Sequence, residues 1–214
     1  MYIPRQFRED DPAVLQEFMR QNNFAVLVTQ QGGDLHASHL PFLIDPSRGE
    51  HGTLLAHTAR ANDQWRDFAD PSAAHEALVI FHGPHAYITP SWYESAPTNV
   101  PTWNLTAVHA YGLPRIIEDH AEMYAMLKRL VSVHEVNRER PWPMESSDNY
   151  IHQAIAAIVG FEIPIAHLEG KFKLSQNRSE IDQAQVIEGL SASGSLQDAE
   201  VAALMRERLR KNET

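Results

Sequence analysis

Phe24-Ala25-Val26-Leu27-Val28-Thr29-Gln30-Gln31-Gly32-Gly33-Asp34-Leu35-His36-Ala37-Ser38-His39-Leu40-Pro41 decides the fold class. A continuous apolar run meets two adjacent glycines, the residues that accept the positive φ of a tight hairpin turn, and the chain resumes as a second strand from Leu35 to Ile44. Both strands are expected to be central in their sheet. Upstream, Asp11-Pro12 caps and preorganises a short helix whose Leu15, Phe18 and Met19 share one face until Asn22-Asn23. Downstream, Thr53 to Thr58 reads as a third strand, Ala61 to Ala69 as a short helix around Trp65 and Phe68, and Ala77 to Phe81 as a fourth strand. Gly83-Pro84 is expected to break that strand, with His85 to Thr89 forming another.

Leu105 to Ile117 returns to strand character. Asp119 and Glu122 form a capping-box variant ahead of a longer helix with Met123, Leu127, Leu130 and Val131 inward. Pro141-Trp142-Pro143 ends that segment, and a short helix follows Asp148. The last strands fall within Ile158 to Leu174, with breaks expected at Pro164 and at Glu169-Gly170, and helical text resumes after Arg178. Short connections between six or more strands, bracketed by helices, predict a mainly β protein with peripheral helices (α+β), an antiparallel barrel or strongly coiled sheet. No glycine-rich nucleotide-binding motif of the dinucleotide or P-loop type is present.

The 214 residues carry 18 Lys and Arg against 28 Asp and Glu, a formal charge of −10, so any anion must be held by a local cluster. No cysteine is present, which excludes thiolate catalysis, disulfides and Cys-based metal sites. No run approaches the roughly 18 apolar residues of a membrane span. The opening Met1-Tyr2-Ile3-Pro4-Arg5 lacks a signal-peptide core. A cytoplasmic location without membrane association is expected.

The densest cationic segment is Gly170-Lys171-Phe172-Lys173-Leu174-Ser175-Gln176-Asn177-Arg178, with three cations and no acid. If residues 171 to 175 are extended, Lys171, Lys173 and Ser175 share one face while Phe172 and Leu174 anchor the other. Phosphate binding and an edge strand guarded by lysines both fit this pattern. A second donor-rich segment, His57-Thr58-Ala59-Arg60-Ala61-Asn62, lies where a strand gives way to a helix. Arg60 there can grip an anion. Equally, Asn62 can be an N-cap and Arg60 the partner of a nearby Asp. Between Pro90 and Asn104 the loop gathers Trp92, Tyr93 and Trp103 beside Ser91, Thr102 and Asn104, a wall suited to a heteroaromatic ligand or to a core. The pairs His36 with His39 and His82 with His85 are three apart, which on strands sends each pair to opposite faces, so no metal site is expected. The C-terminal text reads as helix, turn, helix, but Asp198 and Glu200 stand where DNA-reading residues would, and Arg206, Arg208, Arg210 and Lys211 collect at the far end.

Taken in order, Met1-Tyr2-Ile3-Pro4, His39-Leu40-Pro41-Phe42, Ala59-Arg60-Ala61-Asn62, Gly83-Pro84-His85-Ala86-Tyr87-Ile88, Pro90-Ser91-Trp92-Tyr93, Val100-Pro101-Thr102-Trp103-Asn104 and the Gly170 to Arg178 segment resemble the PaiB-type, FMN-binding negative transcriptional regulators. The resemblance implies an FMN-binding split β-barrel, similar to the pyridoxamine-phosphate oxidase group, with flavin at a homodimer interface. It divides the chain into a flavin domain at 1–190 and a C-terminal helical extension at 191–214. Carried over by motif, Arg60, Asn62, Lys173, Ser175, Gln176 and Arg178 become candidate flavin or phosphate contacts, and His57, Ser91, Trp92, Thr102, Trp103 and Asn104 lie near the ring or ribityl chain. Asn104-Leu105 departs from the Asn-Tyr often found in this family.

The expected function is therefore that of an FMN-binding regulator in which flavin occupancy or redox state biases a conformation. DNA is a partner by resemblance only, because tight binding commonly uses about 6–10 phosphate contacts and no face of this chain supplies them. The competing classes are an FMN-dependent reductase or oxidase, for which no catalytic residue can be named, and a haem-binding split barrel with His57, His85 or His109 as axial ligand.

Overall fold

The computed structural model describes every residue except Pro71, Ala73, Ser95 to Pro97, Glu213 and Thr214, together with all side chains but those of Glu145, Ser146, Lys211 and Asn212. Its elements are β1 (Arg8–Glu9), α1 (Pro12–Gln21), β2 (Phe24–Gln31), β3 (Asp34–Pro41), β4 (Leu43–Asp45), β5 (Thr53–Ala59), β6 (Ala77–Ile88), β7 (Thr102–Gly112) and β8 (Arg115–Ile117). They continue with α2 (His120–Glu135), α3 (Asp148–Ala154), β9 (Ile158–Pro164), β10 (His167–Lys173), α4 (Glu180–Ala192) and α5 (Leu196–Asn212). The chain forms two compact units. The first comprises Met1–Phe18, His82–Val108 and Glu169–Thr214, and the second Met19–Phe81 and His109–Leu168.

In the second unit the hairpin forms as its glycines dictate. Gly32 and Gly33 take φ of 59° and 97°, and β2 pairs with β3 from Phe24 opposite Pro41 to Gln31 opposite Asp34. β2 lies between β6 and β3, so β3 has a single neighbour and is an edge strand rather than a central one. The reason is on its face: Asp34, His36 and Ser38 are polar and Leu35 is exposed. The stretch to Ile44 is also two strands, because Pro41 ends β3 and β4 pairs instead with β5. Antiparallel strands β4, β5, β9 and β8 make a second sheet. α2, capped by Asp119 Oδ1 accepting from the Glu122 amide at 2.8 Å, contributes Met123 and Met126 to a core with Leu43, Leu55, Met144, Ile151 and Ile155. Each such buried side chain contributes about 1.5–3 kcal/mol. Phe42 packs edge-on against Phe81 and Phe161, and Phe68 tilts against Phe161.

In the first unit β10 lies between β1 and β7, and β7 pairs with β6. The expected break at Glu169-Gly170 does not occur. Gly170 lies opposite Glu9, and a Cβ on it would stand 2.6 Å from the Glu9 carbonyl oxygen, so glycine is what lets β1 close on the strand. Nor does Gly83-Pro84 break β6. The buried positions run Ala77, Val79, Phe81, Gly83 and then Ala86, Ile88, a one-residue change of phase that marks a β-bulge. Phe18 packs on Phe172, and α4 and α5 bury Val186, Leu190, Val201 and Met205. Gly194, at φ 76°, closes the turn between the two helices. Among the described residues, no helix is long and apolar enough to cross a membrane.

Candidate functional site

The cationic segment ends β10 and turns. Phe172 and Leu174 are buried, as their alternation requires, while Lys171 and Lys173 are only partly covered. β10 carries β7 on one side and the two-residue β1 on the other, and β1 pairs with Gly170 and Lys171, so Lys171 does not stand on an open edge. Ser175 does not continue the extended face expected of it. It adopts φ 65°, is 3% exposed, and its hydroxyl exchanges hydrogen bonds with the amide of fully buried Asn104 at 3.0 Å and 3.2 Å. A left-handed serine is uncommon and must be held from outside. Gln176 does this by accepting from the Leu174 amide at 2.6 Å and donating to the Phe172 carbonyl, and the Arg178 amide closes the turn on the Ser175 carbonyl at 2.9 Å. Ser175, Gln176 and Asn104 thus build the turn that presents the cations.

Lys173 donates from Nζ to Thr102 Oγ1 at 2.6 Å and to the Trp103 carbonyl. Arg178 donates to the Asn99 side chain and lies 4.5 Å from the Tyr93 ring centre. Among the described residues no carboxylate pairs with Lys171, Lys173 or Arg178. Burial, then the neighbouring Lys171 and Arg178 charges, pull the Lys173 ammonium below the ordinary lysine range. Uncompensated cations that destabilise one another fit a phosphate. Beside them Trp103 is 52% and Tyr87 48% exposed, their rings 5.9 Å apart and edge-on, with His85 at 6.1 Å from Trp103. Flat aromatic surface facing water fits a heteroaromatic ring.

Ser91 and Trp92 line a cleft of about 310 Å³ with Gln185, Glu188, Gly189 and Tyr93, the residue whose ring Arg178 approaches. The Tyr93 hydroxyl and Gln185 Oε1 are buried and have no hydrogen-bond partner among the described residues. Gln185 was not legible as a site residue. Its only sequence signal is its place on α4 near Gly189, where a Cβ would stand 2.4 Å from the Trp92 indole. Ser95, Ala96 and Pro97 of the aromatic loop lie outside the described residues.

His57, Arg60 and Asn62 belong to the second unit. Asn62 is an N-cap, its Oδ1 accepting from the Gln64 amide at 3.1 Å while its Nδ2 donates to Ser38 Oγ at 2.8 Å. Arg60 pairs with backbone rather than with an Asp, donating from Nε to the Ala156 carbonyl at 2.9 Å and from Nη2 to the Ile158 carbonyl at 3.0 Å. His57 lies opposite Gly160, on the face where a Gly160 Cβ would meet Met123 of α2. Burial lowers its pKa, and its Nδ1 is buried without a hydrogen-bond partner among the described residues. Sequence reading also missed a dyad: His36 Nδ1 lies 2.8 Å from Oδ2 of buried Asp67, which accepts from Thr29 Oγ1 as well.

The bulge in β6 corrects the histidine expectation. One extra residue puts His82 and His85 on the same side, with ring centres 4.6 Å apart. Burial, and then the charge of His85, lower the pKa of His82. Gln197 of α5 donates from Nε2 to His85 Nδ1 at 3.0 Å. Among the described residues no group of three or more His, Asp or Glu is placed to hold a metal. On α5, Arg206 donates to Ser191 Oγ and Arg208 lies 3.6 Å from Glu9, so both cations serve their own unit, and the Lys211 side chain lies outside the described residues.

Comparison with known proteins identifies the family of the chain. Residues 1–183 match the family model described as "Putative FMN-binding domain". Protease synthase and sporulation protein PAI 2 of Bacillus subtilis (strain 168) is 36% identical over 213 residues, covering 99% of each chain. An uncharacterised protein of Aspergillus fumigatus is 32% identical over 256 residues, covering 97% of each. Among solved structures, the FAD and heme binding protein from Mycobacterium smegmatis is 14% identical and covers 88% of this chain and 80% of its own, with a TM-score of 0.59. The flavocytochrome Anf3 from Azotobacter vinelandii is 15% identical and covers 86% and 78%, with a TM-score of 0.57. At such identities the structures show the fold alone, a split β-barrel of mixed helix and antiparallel sheet. The chain belongs to the FMN-binding domain family, and its cofactor is FMN or a related flavin.

Proposed function

We propose that this member of the FMN-binding domain family is a regulator of the PaiB type, a homodimer with flavin at its subunit interface whose occupancy or redox state biases a regulatory conformation. One observation carries the reading: Lys171, Lys173 and Arg178 crowd together without a carboxylate partner among the described residues. A dianionic phosphate there would turn mutual repulsion into charge-assisted hydrogen bonds, each contributing about 1.5–3 kcal/mol. In this reading Lys173 and Arg178 grip the phosphate, and Asn104, Ser175 and Gln176 hold the turn rigid. Thr102 positions the lysine, and Trp103 offers its exposed face to the ring. When bound, the flavin supplies the capacity to accept and return electrons. His57, Arg60, Asn62, Ser91 and Trp92 enter the flavin site through family resemblance alone, as does the division between a domain at 1–190 and an extension at 191–214. A cytoplasmic location belongs to the same reading.

Flavin released by denaturing the purified protein tests it. The expectation is FMN at close to one per chain, or stoichiometric uptake of added FMN at micromolar concentration. A chain that neither retains nor takes up FMN, or that shows a sharp Soret band of haem, removes the reading. An electrophoretic shift with the adjacent promoter region at low salt then tests the DNA step separately. One observation favours the second reading, an FMN-dependent oxidoreductase: Asp67 holds His36 by Nδ1 and leaves its other ring nitrogen as a proton acceptor on a half-exposed side chain. Steady-state oxidation of NAD(P)H in the presence of FMN supports the enzyme, and tight flavin without turnover supports the regulator.

A further inference from the structure

The bulge of β6 brings two imidazoles together beside the first turn of α5, and neither is a flavin contact in the reading above. His82 and His85 have ring centres 4.6 Å apart and planes tilted by 53°. An imidazole nitrogen lies about 2.0–2.1 Å from a bound zinc ion, which puts the ring centre about 3.2 Å from it. Two rings on one ion then have centres about 4.5 Å apart at a right angle and about 5.2 Å apart at the tetrahedral angle. The spacing of His82 and His85 falls in that range. Spacing alone would also admit His120 and His152, at 5.0 Å, but those rings are stacked within 22° of parallel, and their polar contacts lead to Asp148 and to backbone.

The surroundings of the tilted pair are those of ligands. His82 is exposed and holds no hydrogen bond among the described residues. Burial of part of its ring, and then the charge of His85, lower its pKa and favour the neutral form that binds metal. With its proton on Nδ1, His85 donates to the Gly83 carbonyl at 3.3 Å, and Nε2 keeps its lone pair. A metal-bound histidine is ordinarily oriented by such a second bond. The Gln197 carboxamide lies 3.0 Å from Nδ1 and 3.3 Å from Nε2 of the same ring. A half-turn of that amide puts Oε1 in its place, and two donor atoms at a right angle on one ion lie about 3 Å apart. Asp198 in the same turn of α5, in a chain of net charge −10, adds to the attraction for a cation. We propose that His82, His85 and Gln197 bind one first-row divalent transition-metal ion, with water completing its coordination. Such an ion joins β6 to α5, and the site does not depend on flavin.

The test uses the full chain without a histidine tag, with and without added FMN. Two imidazoles and an amide supply about half of a four-ligand zinc site, so calorimetry with zinc chloride should give one ion per chain at a Kd of about 1–100 µM. Copper(II) should bind more tightly and magnesium not at all. The EPR spectrum of the copper(II) form should show splitting from two nitrogens. His82→Asn, at an exposed position, should weaken zinc by about tenfold or more and leave one nitrogen. Gln197→Glu should tighten zinc by offering a carboxylate, and His152→Asn in the stacked pair should change nothing. If His82→Asn matches wild type in Kd and in nitrogen splitting, the ion is held elsewhere and the proposal fails. If FMN displaces zinc, the two histidines belong to the flavin site and the proposal fails as well. A chain that takes up no FMN yet binds zinc in this way supports the proposal and refutes only the flavin reading.

Discussion

Replacing Lys173 with methionine removes one cation while keeping the length of the side chain, and the structure sets the sizes of two separate effects. Nζ is tied to Thr102 Oγ1 and the Trp103 carbonyl and is pulled below the ordinary lysine range by burial and by Lys171 and Arg178. Without flavin, losing those two hydrogen bonds is offset by relief of a crowded, partly desolvated charge, so stability should stay within about 1 kcal/mol. For a chain of this length that is a change in Tm of about 2–4 °C at most. FMN binding should respond differently. A charge-assisted bond to phosphate contributes about 1.5–3 kcal/mol, so the Kd should rise about tenfold to a hundredfold. Quenching of flavin fluorescence during titration measures this, with riboflavin as the control that lacks phosphate. Wild type and Lys173→Met should bind riboflavin alike, and Lys173→Arg should keep most of the FMN affinity. If Lys173→Met binds FMN within twofold of wild type, the cations do not hold the phosphate and the placement of the flavin is wrong.

Three further outcomes follow from the same geometry. Tyr93→Phe deletes a buried hydroxyl that has no partner among the described residues, so in the absence of ligand it should raise stability by about 1–3 kcal/mol; a lower Tm in differential scanning calorimetry would show that the hydroxyl is satisfied. Burial depresses the His57 pKa below its unfolded value of about 6.5, so the unfolded chain takes up the proton first as pH falls. Stability should therefore be flat above neutrality and decline from about pH 7 through the folded pKa, and His57→Gln should flatten that decline, with Tm against pH as the measurement. At Gly112 an added Cβ would stand 2.2 Å from the Pro164 carbonyl oxygen, backbone that cannot step aside. Gly112→Ala should then cost about 3 kcal/mol or more, and a denaturation midpoint equal to wild type would contradict the close packing of β7 on β9.

Much of the fold could be read from neighbours a few residues apart. The Gly32-Gly33 turn, the Asp119 cap, the inward Met123 and the Phe172 and Leu174 anchors all depend on local backbone preference or on side-chain period, and each is where the residues place it. The cation segment was likewise visible, because three positive charges without an acid in a −10 chain require a reason. What the sequence could not convey was how distant segments finish each other. β3 became an edge because no further strand of its unit pairs with it, and β6 stayed whole because a bulge absorbed Gly83-Pro84 and carried His85 to the side of His82. Ser175 turned inward because Asn104, seventy-one positions away, receives it, and Gln185 came to line a cleft only when α4 packed beside Tyr93. Local conformation is chosen by forces that act over a turn or two of chain, whereas burial, pairing and unmet hydrogen bonds are properties of the space that remote segments enclose, and only the folded chain defines that space.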